Sequence, residues 1–291
     1  MSDVENQRAE STALGIDELE ASVERNRLAR EWRARVSGIF YPVGVVLGVL
    51  ALWEGGTRML GVPAFLLPPP SAVAISFMTN ASLILFHGWI TTIEIVLGFA
   101  LSIAVGIPLA LAIFLWPVFS RSILPLLVSS QAMPKVAIAP LLLVWFGFGL
   151  LPKVLIAFLI AFFPVVINTA VGLSSIEPEK IHLARSMGFG AAATFFKIRL
   201  PNALPAIFGG LKISITLAVV GAVVGEFVGG DAGLGYLLMV ANGSMDTQLL
   251  FAGIVALTVL GVALFLLVEL AERLAIPRHI IAGDKGTREA V

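Results

Sequence analysis

Residues 95–120 read Ile-Val-Leu-Gly-Phe-Ala-Leu-Ser-Ile-Ala-Val-Gly-Ile-Pro-Leu-Ala-Leu-Ala-Ile-Phe-Leu-Trp-Pro-Val-Phe-Ser, a run without one ionisable side chain. A helix of about 20 apolar residues crosses the roughly 30 Å hydrocarbon core of a bilayer. Two more stretches pass that test uninterrupted, Val154 to Ile176 and Leu249 to Val268, and Ser37 to Trp53 sits at its lower limit. Two others carry one charge each: Ser122 to Leu151 contains Lys135, and Leu200 to Gly225 contains Lys212. Counting both gives six spans; discounting both gives four.

The rest of the composition agrees. The chain of 291 residues is 58% hydrophobic and 13% charged, with a mean hydropathy of +0.98, whereas a soluble domain carries about 25% charged residues. So little charge cannot cover a water-facing surface, which excludes a soluble enzyme. Nineteen basic and nineteen acidic residues cancel, so no bulk field draws the chain to nucleic acid. The absence of cysteine excludes disulfides, thiol catalysis, iron–sulfur clusters and Cys-ligated zinc.

Charge placement selects the six-span arrangement with both termini cytoplasmic. Sorted that way, fifteen of the nineteen Lys and Arg residues fall inside, and only Arg58 and Lys153 fall outside. That bias obeys the positive-inside rule. Trp32, Trp53, Trp89, Trp116 and Trp145 all stand near expected span ends, where indole rings favour the headgroup region. The expected protein is an all-α integral membrane protein of the cell membrane. Residues 1–36 form a cytoplasmic N-terminal tail, 37–275 the membrane domain and 276–291 a cytoplasmic C-terminal tail. The arginine-rich tail suits contact with anionic membrane lipid, and Asp17 is placed to cap a helix within it.

Prolines shape the spans. Pro68, Pro69 and Pro70 forbid helix before Ser71, which is placed to cap a short outer helix. Pro134 and Pro140 predict a third span that bends or breaks around Lys135. Asn168, one turn after Pro164, is placed to bond the backbone which that proline frees.

The longest cytoplasmic loop, about residues 174–203, is amphipathic where a plain connector would be short and polar. Ser175, Pro178, Glu177 and Glu179 suit a helix N-terminus. Gly188 or Gly190 suits the left-handed turn that ends this helix near Met187. A second short helix is expected over Ala191 to Lys197, with Pro201 and Pro205 opening the fifth span. The apolar Ile181, Leu183, Ala184, Met187, Phe195 and Phe196 need a surface. On physical grounds the bilayer interface, the protein's own helix ends and a soluble partner all qualify.

This loop resembles the signature of permease subunits in binding-protein-dependent ATP-binding-cassette importers: Glu-Ala-Ala, three residues, Gly, nine residues, then Ile-x-Leu-Pro. Here His182, Leu183 and Ala184 stand at the Glu-Ala-Ala positions, Gly188 follows at the right spacing, and Ile198, Leu200 and Pro201 close the motif. His182 replaces the glutamate and Leu183 the first alanine. The resemblance covers roughly Trp89 to His279. It implies a type I importer permease fold, a homodimer or a pairing with a similar subunit, two ATP-binding-cassette ATPase subunits docked on the loop, and an extracytoplasmic solute-binding protein. No cofactor is then held by this chain; ATP and Mg belong to the ATPase, in line with the absence of a phosphate-binding Gly-x-x-x-x-Gly-Lys-Ser/Thr loop. The runs Met133 to Ala137, Val144 to Gly149 and Gly225 to Gly230 look most like the branch for sulfonate, taurine, nitrate and thiamine-precursor or riboflavin-type uptake, leaning to the vitamin side.

Charges inside a membrane cost about 2.5–3.5 kcal/mol each on insertion scales, so Lys135, Glu94, Lys212 and Glu226 are candidates for the substrate pathway. Lys135 is equally placed to pair with Glu94 or Glu226, or to snorkel. Gly229, Gly230, Gly233 and Gly235 read as a flexible turn before the last span, and Gly147 with Gly149 as another turn. The three histidines lie at or beyond span ends and no His-Glu-x-x-His or Gly-x-Ser-x-Gly occurs, so an intramembrane enzyme is not indicated. The alternative transport class is an ion-gradient-driven secondary transporter using Glu94, Lys135 or Glu226.

Overall fold

A computed structural model describes Tyr41 and residues 43–276; the expected N-terminal tail, the C-terminal tail beyond Ile276, the start of the first span and His279 lie outside them. All regular secondary structure among the described residues is helical. Helix α1 covers 43–59 and is followed by α2 (Pro70–Thr79), α3 (Ala81–Leu115), α4 (Pro117–Ser130), α5 (Ala139–Phe146) and α6 (Leu150–Ser174). Then come α7 (Pro178–Ser186), α8 (Ala191–Thr194), α9 (Leu200–Gly229), α10 (Leu234–Gly243) and α11 (Thr247–Ala275). The chain divides into two compact units, residues 1–63 with 67–71, and 64–66 with 72–291.

In the first unit, the Glu54 carboxylate at the end of α1 accepts the Ser71 N–H at 2.9 Å and its hydroxyl at 2.8 Å, and Arg58 pairs with the same carboxylate at 2.5 Å. Ser71 lies inside α2, which starts at Pro70, so it does not cap the helix. A carboxylate from α1 meets that helix's positive end instead.

In the second unit α6 is the central helix, with α3 and α9 packed along it. Glycine makes the approach possible, as in membrane bundles generally. Ala157 of α6 has no exposed surface and sits between Gly98 of α3 and Gly221 of α9. A Cβ on Gly98 would stand 2.6 Å from the Ala157 Cβ, and one on Gly221 2.5 Å from its Cα. Hydroxyls join the helices across the same seam: Ser102 donates to the Phe158 carbonyl at 3.3 Å and Ser214 to the Ala161 carbonyl at 2.7 Å.

Four helices among the described residues are long and apolar enough to cross a membrane: α3, α6, the continuous helix Ala191–Gly229, and α11. α4 and residues 135–146, bent by 85° at the break between them, pass the same test only when taken together as one span. The expected bend at Lys135 is therefore present, with a 3₁₀ turn over Lys135–Ile138. Gly147 (φ 75°) and Gly149 (φ 132°) form the expected turn between α5 and α6. Asn168 donates to the carbonyl of Pro164 itself at 2.9 Å, rather than to the Ile160 carbonyl that the proline leaves without its usual donor.

Candidate functional site

The loop motif folds into an elbow of two helices. Pro178 opens α7, where a missing N–H costs nothing, and Glu177 caps it with extended backbone. Ser175, expected to open this helix, closes α6 instead: its hydroxyl donates to the Gly172 carbonyl at 2.9 Å. At the far end of α7 the Gly188 N–H bonds the Arg185 carbonyl at 2.9 Å and the Phe189 N–H bonds the Ala184 carbonyl at 3.1 Å. This pair of bonds is a Schellman turn, which demands a left-handed residue. Gly188 supplies it at φ 82°, whereas Gly190 is extended.

Side chains divide by face. Leu183, Met187 and Phe196 project outward, 63%, 68% and 65% exposed, and His182 is exposed beside them. Ala184 is buried. Its small side chain packs within this chain.

Ala191 to Lys197 does not form a separate helix. Residues Phe195–Arg199 wind as a π-helical turn, and the Leu200 N–H reaches the Phe195 carbonyl. Pro201 has no N–H and its ring would press on the Lys197 carbonyl in a regular α-helix; a wider turn relieves that conflict. One helix of 39 residues therefore runs from Ala191 to Gly229. The elbow is rigidly continuous with the span behind it, and Ile198, Leu200 and Pro201 sit half-buried at the joint.

At the opposite end of α9 lies a buried polar node. Glu226 and Glu94 have no exposed surface. Lys153, at the start of α6, is 2% exposed and bridges Glu94 at 3.1 Å, Asp231 at 3.3 Å and the Ala232 carbonyl at 3.2 Å. Lys153 was expected as an outer-side surface charge; it is enclosed because two buried carboxyls need a cation. The Asp231 carboxyl, mostly exposed, is held below its ordinary range by its own backbone N–H and then by Lys153.

This node organises α10. Three successive N–H groups at its start lack helical partners, and each finds a remote acceptor. The Gly233 N–H bonds His87 Nδ1 at 3.0 Å, the Leu234 N–H bonds Thr91 Oγ1 at 2.7 Å, and the Gly235 N–H bonds the Glu226 carboxylate. Thr91 donates in turn to Glu226 at 2.6 Å. A Cβ at Gly233, whose φ is 117°, would overlap that carboxylate. The glycine cluster is thus a clamped helix start, correcting the expectation of a flexible turn.

The four charged candidates separate. Glu94 and Glu226 join through this node. Lys212 pairs with Glu272 of α11 at 2.6 Å. Lys135 stands apart at the break between α4 and α5, its ammonium 5.9 Å from the centre of the Phe163 ring, and lines a cavity of about 180 Å³ with Ser130, Met133 and Phe162. Its alternative pairings with Glu94 or Glu226 are not formed. Lys153, Thr91 and His87 were not among the candidates; the signal was the charge balance, since Glu94 and Glu226 called for a cation and Lys153 opens the adjoining apolar run.

The family of binding-protein-dependent transport system inner membrane components matches residues 102–278. The riboflavin transport system permease protein RibX of Chloroflexus aurantiacus is 40% identical, over 84% of this chain and 91% of its own. The formylaminopyrimidine transport permease protein ThiX of Halalkalibacterium halodurans is 34% identical, over 86% and 98%. The putative aliphatic sulfonates transport permease protein SsuC of Bacillus subtilis is 30% identical, over 87% and 91%. Among solved structures, the inward-facing MetNI methionine ABC transporter superposes with a TM-score of 0.57 at 19% identity, over 70% of this chain and 97% of that one, a likeness of fold. With the elbow and its motif in place, these matches give no support to a secondary transporter: the chain belongs to the family of binding-protein-dependent inner membrane components, as a permease subunit of an ATP-binding-cassette importer in the branch of these relatives.

Proposed function

We propose that this permease carries a small polar or anionic solute of the riboflavin or thiamine-precursor kind, with sulfonates or nitrate as the second substrate class. The 40% and 34% identities to RibX and ThiX over more than four-fifths of the chain support the vitamin side. Six spans with both termini cytoplasmic fit the arginine distribution, with 1–36 and 276–291 as tails, 37–275 as the membrane domain and 174–203 as the coupling loop. The chain works as a homodimer in the lipid bilayer of the inner membrane. A solute-binding protein delivers substrate to the outer face, and ATPase subunits bind ATP and Mg.

The observation that carries the coupling role is the elbow. Leu183, Met187 and Phe196 present an apolar face that nothing in the described chain covers, and Gly188 fixes its angle. His182, Ala184, Ile198, Leu200 and Pro201 complete the unit, Ala184 by packing inward and the last three by joining the elbow to α9. ATP-driven movement of the ATPases then reaches the spans through one continuous helix and biases them between inward- and outward-open states. Lys135 at the broken third span is the pathway residue of choice, because it alone of the four charged candidates forms no ion pair or side-chain hydrogen bond among the described residues. Glu94, Glu226 and Lys212 hold helices together.

Reconstitution into vesicles with a partner ATP-binding-cassette ATPase and solute-binding protein tests the proposal. Uptake of labelled riboflavin, formylaminopyrimidine and taurine is measured with and without ATP. The expected result is ATP-dependent uptake of one vitamin-type solute, insensitive to ionophores. Uptake without the ATPase, or uptake abolished by an ionophore, overturns it.

A further inference from the structure

Two cavities meet where the elbow joins the spans. The larger, about 500 Å³, lies between the end of α3, the start of α4 and the last turns of α6, walled by Ile113, Leu124, Ile167 and Val171 with Ser120 and Ser174. The smaller, about 230 Å³, lies under α7 and is lined by Ile181, Arg185, Phe189 and Phe195. Phe114 and Arg199 border both. The Arg199 guanidinium sits 4.9 Å from the Phe114 ring centre and donates to the Leu173 carbonyl at 3.3 Å. Among the described residues neither Arg185 nor Arg199 forms an ion pair, although Lys153, Lys180, Lys212 and Arg273 all do.

We propose that the paired cavities bind an anionic phospholipid of the cytoplasmic leaflet, its phosphate between Arg185 and Arg199 and an acyl chain in the larger cavity. The leaflet assignment rests on the orientation proposed above. Guanidinium groups fork onto phosphate oxygens, and basic pockets between membrane helices on the cytoplasmic side suit anionic headgroups. A water-soluble anion would satisfy the arginines but leave the apolar walls of the larger cavity wet; a lipid satisfies both. The bound lipid would sit between the end of α6 and the elbow and stiffen the joint through which the ATPase acts.

Native mass spectrometry of the purified full chain, released from detergent with phosphatidylglycerol or phosphatidylcholine, tests this. The native chain retains phosphatidylglycerol in preference, and the double variant Arg185→Gln/Arg199→Gln loses that preference roughly tenfold. Val171→Trp, which fills the larger cavity and leaves both arginines, also releases the lipid. Equal retention of the two lipids by the native chain, or undiminished preference in the double variant, overturns the site. Displacement of phosphatidylglycerol by millimolar glycerol phosphate overturns the lipid assignment in favour of a soluble anion. The permease reading fails separately: an elbow labelled from outside cells overturns both the leaflet and the orientation, whereas lost lipid selectivity with an inward elbow overturns the site alone.

Discussion

At Lys153 one ammonium serves a buried carboxyl, a carbonyl and an exposed aspartate. Removing one partner of a buried ion pair costs about 3–5 kcal/mol, because the other charge stays behind unpaired. Lys153→Met should therefore lower the thermal unfolding temperature of the purified chain sharply. Adding Glu94→Gln to that variant should restore part of the loss, since it removes the stranded charge. A double variant no more stable than the single would show that Glu94 is not the group Lys153 neutralises. Gly221 makes a purely steric counterpart. Its substitution by alanine sets a methyl 2.5 Å from the Ala157 Cα, and overpacking of this kind costs about 1–3 kcal/mol; a native-like unfolding temperature for Gly221→Ala would show that α6 and α9 can part at no cost. Glu94 and Glu226 were legible in the sequence as charges that a membrane interior must answer. Their partner was harder to see, because Lys153 sits at the edge of an apolar run, where a surface location costs least on sequence grounds alone.

Among the elements, the elbow was the most legible, since the motif spacing depends on two positions with backbone reasons: Gly188 in its left-handed turn and Pro201 without an N–H. What the spacing concealed was continuity. A proline ordinarily marks the start of a helix, and only the π-helical turn lets one helix run through it. α10 was illegible for a related reason: Gly229, Gly230, Gly233 and Gly235 read as a turn, yet the N–H groups of Gly233, Leu234 and Gly235 are held by His87, Thr91 and Glu226, the first two more than a hundred positions away. The elbow carries its own prediction. The space around Gly188 is open, so Gly188→Ala meets only a backbone penalty of about 1 kcal/mol and should keep most transport. Gly188→Pro cannot adopt φ 82° and removes the N–H bonded to Arg185. It should leave the protein inserted, with ATP hydrolysis by the assembled transporter no longer coupled to uptake. Coupled uptake at the native rate in Gly188→Pro would show that the angle of the elbow does not matter.

Across the whole molecule, length sets the two ends of α6 on opposite sides. α6 has 25 residues and so spans about 37 Å, more than the roughly 30 Å hydrocarbon layer. The Gly147–Gly149 turn precedes it and the elbow follows it, so these two features must emerge on opposite faces of the membrane. Both present exposed side chains, Phe148 at 83% and Leu183 at 63%. The chain contains no cysteine, so Phe148→Cys and Leu183→Cys each introduce a single thiol with no background. With the arginine-rich loop inside, an impermeant maleimide should label Phe148→Cys from outside intact cells and Leu183→Cys only in inside-out vesicles. In vesicles that also carry the ATPase, docking should shield Leu183→Cys and leave Phe148→Cys as reactive as before. Both thiols labelled from one side would mean that α6 does not cross, and the membrane core of α3, α6 and α9 packed at Ala157 would have to be abandoned. Labelling of the two thiols with the sides exchanged would keep the fold but turn the elbow away from any cytoplasmic ATPase.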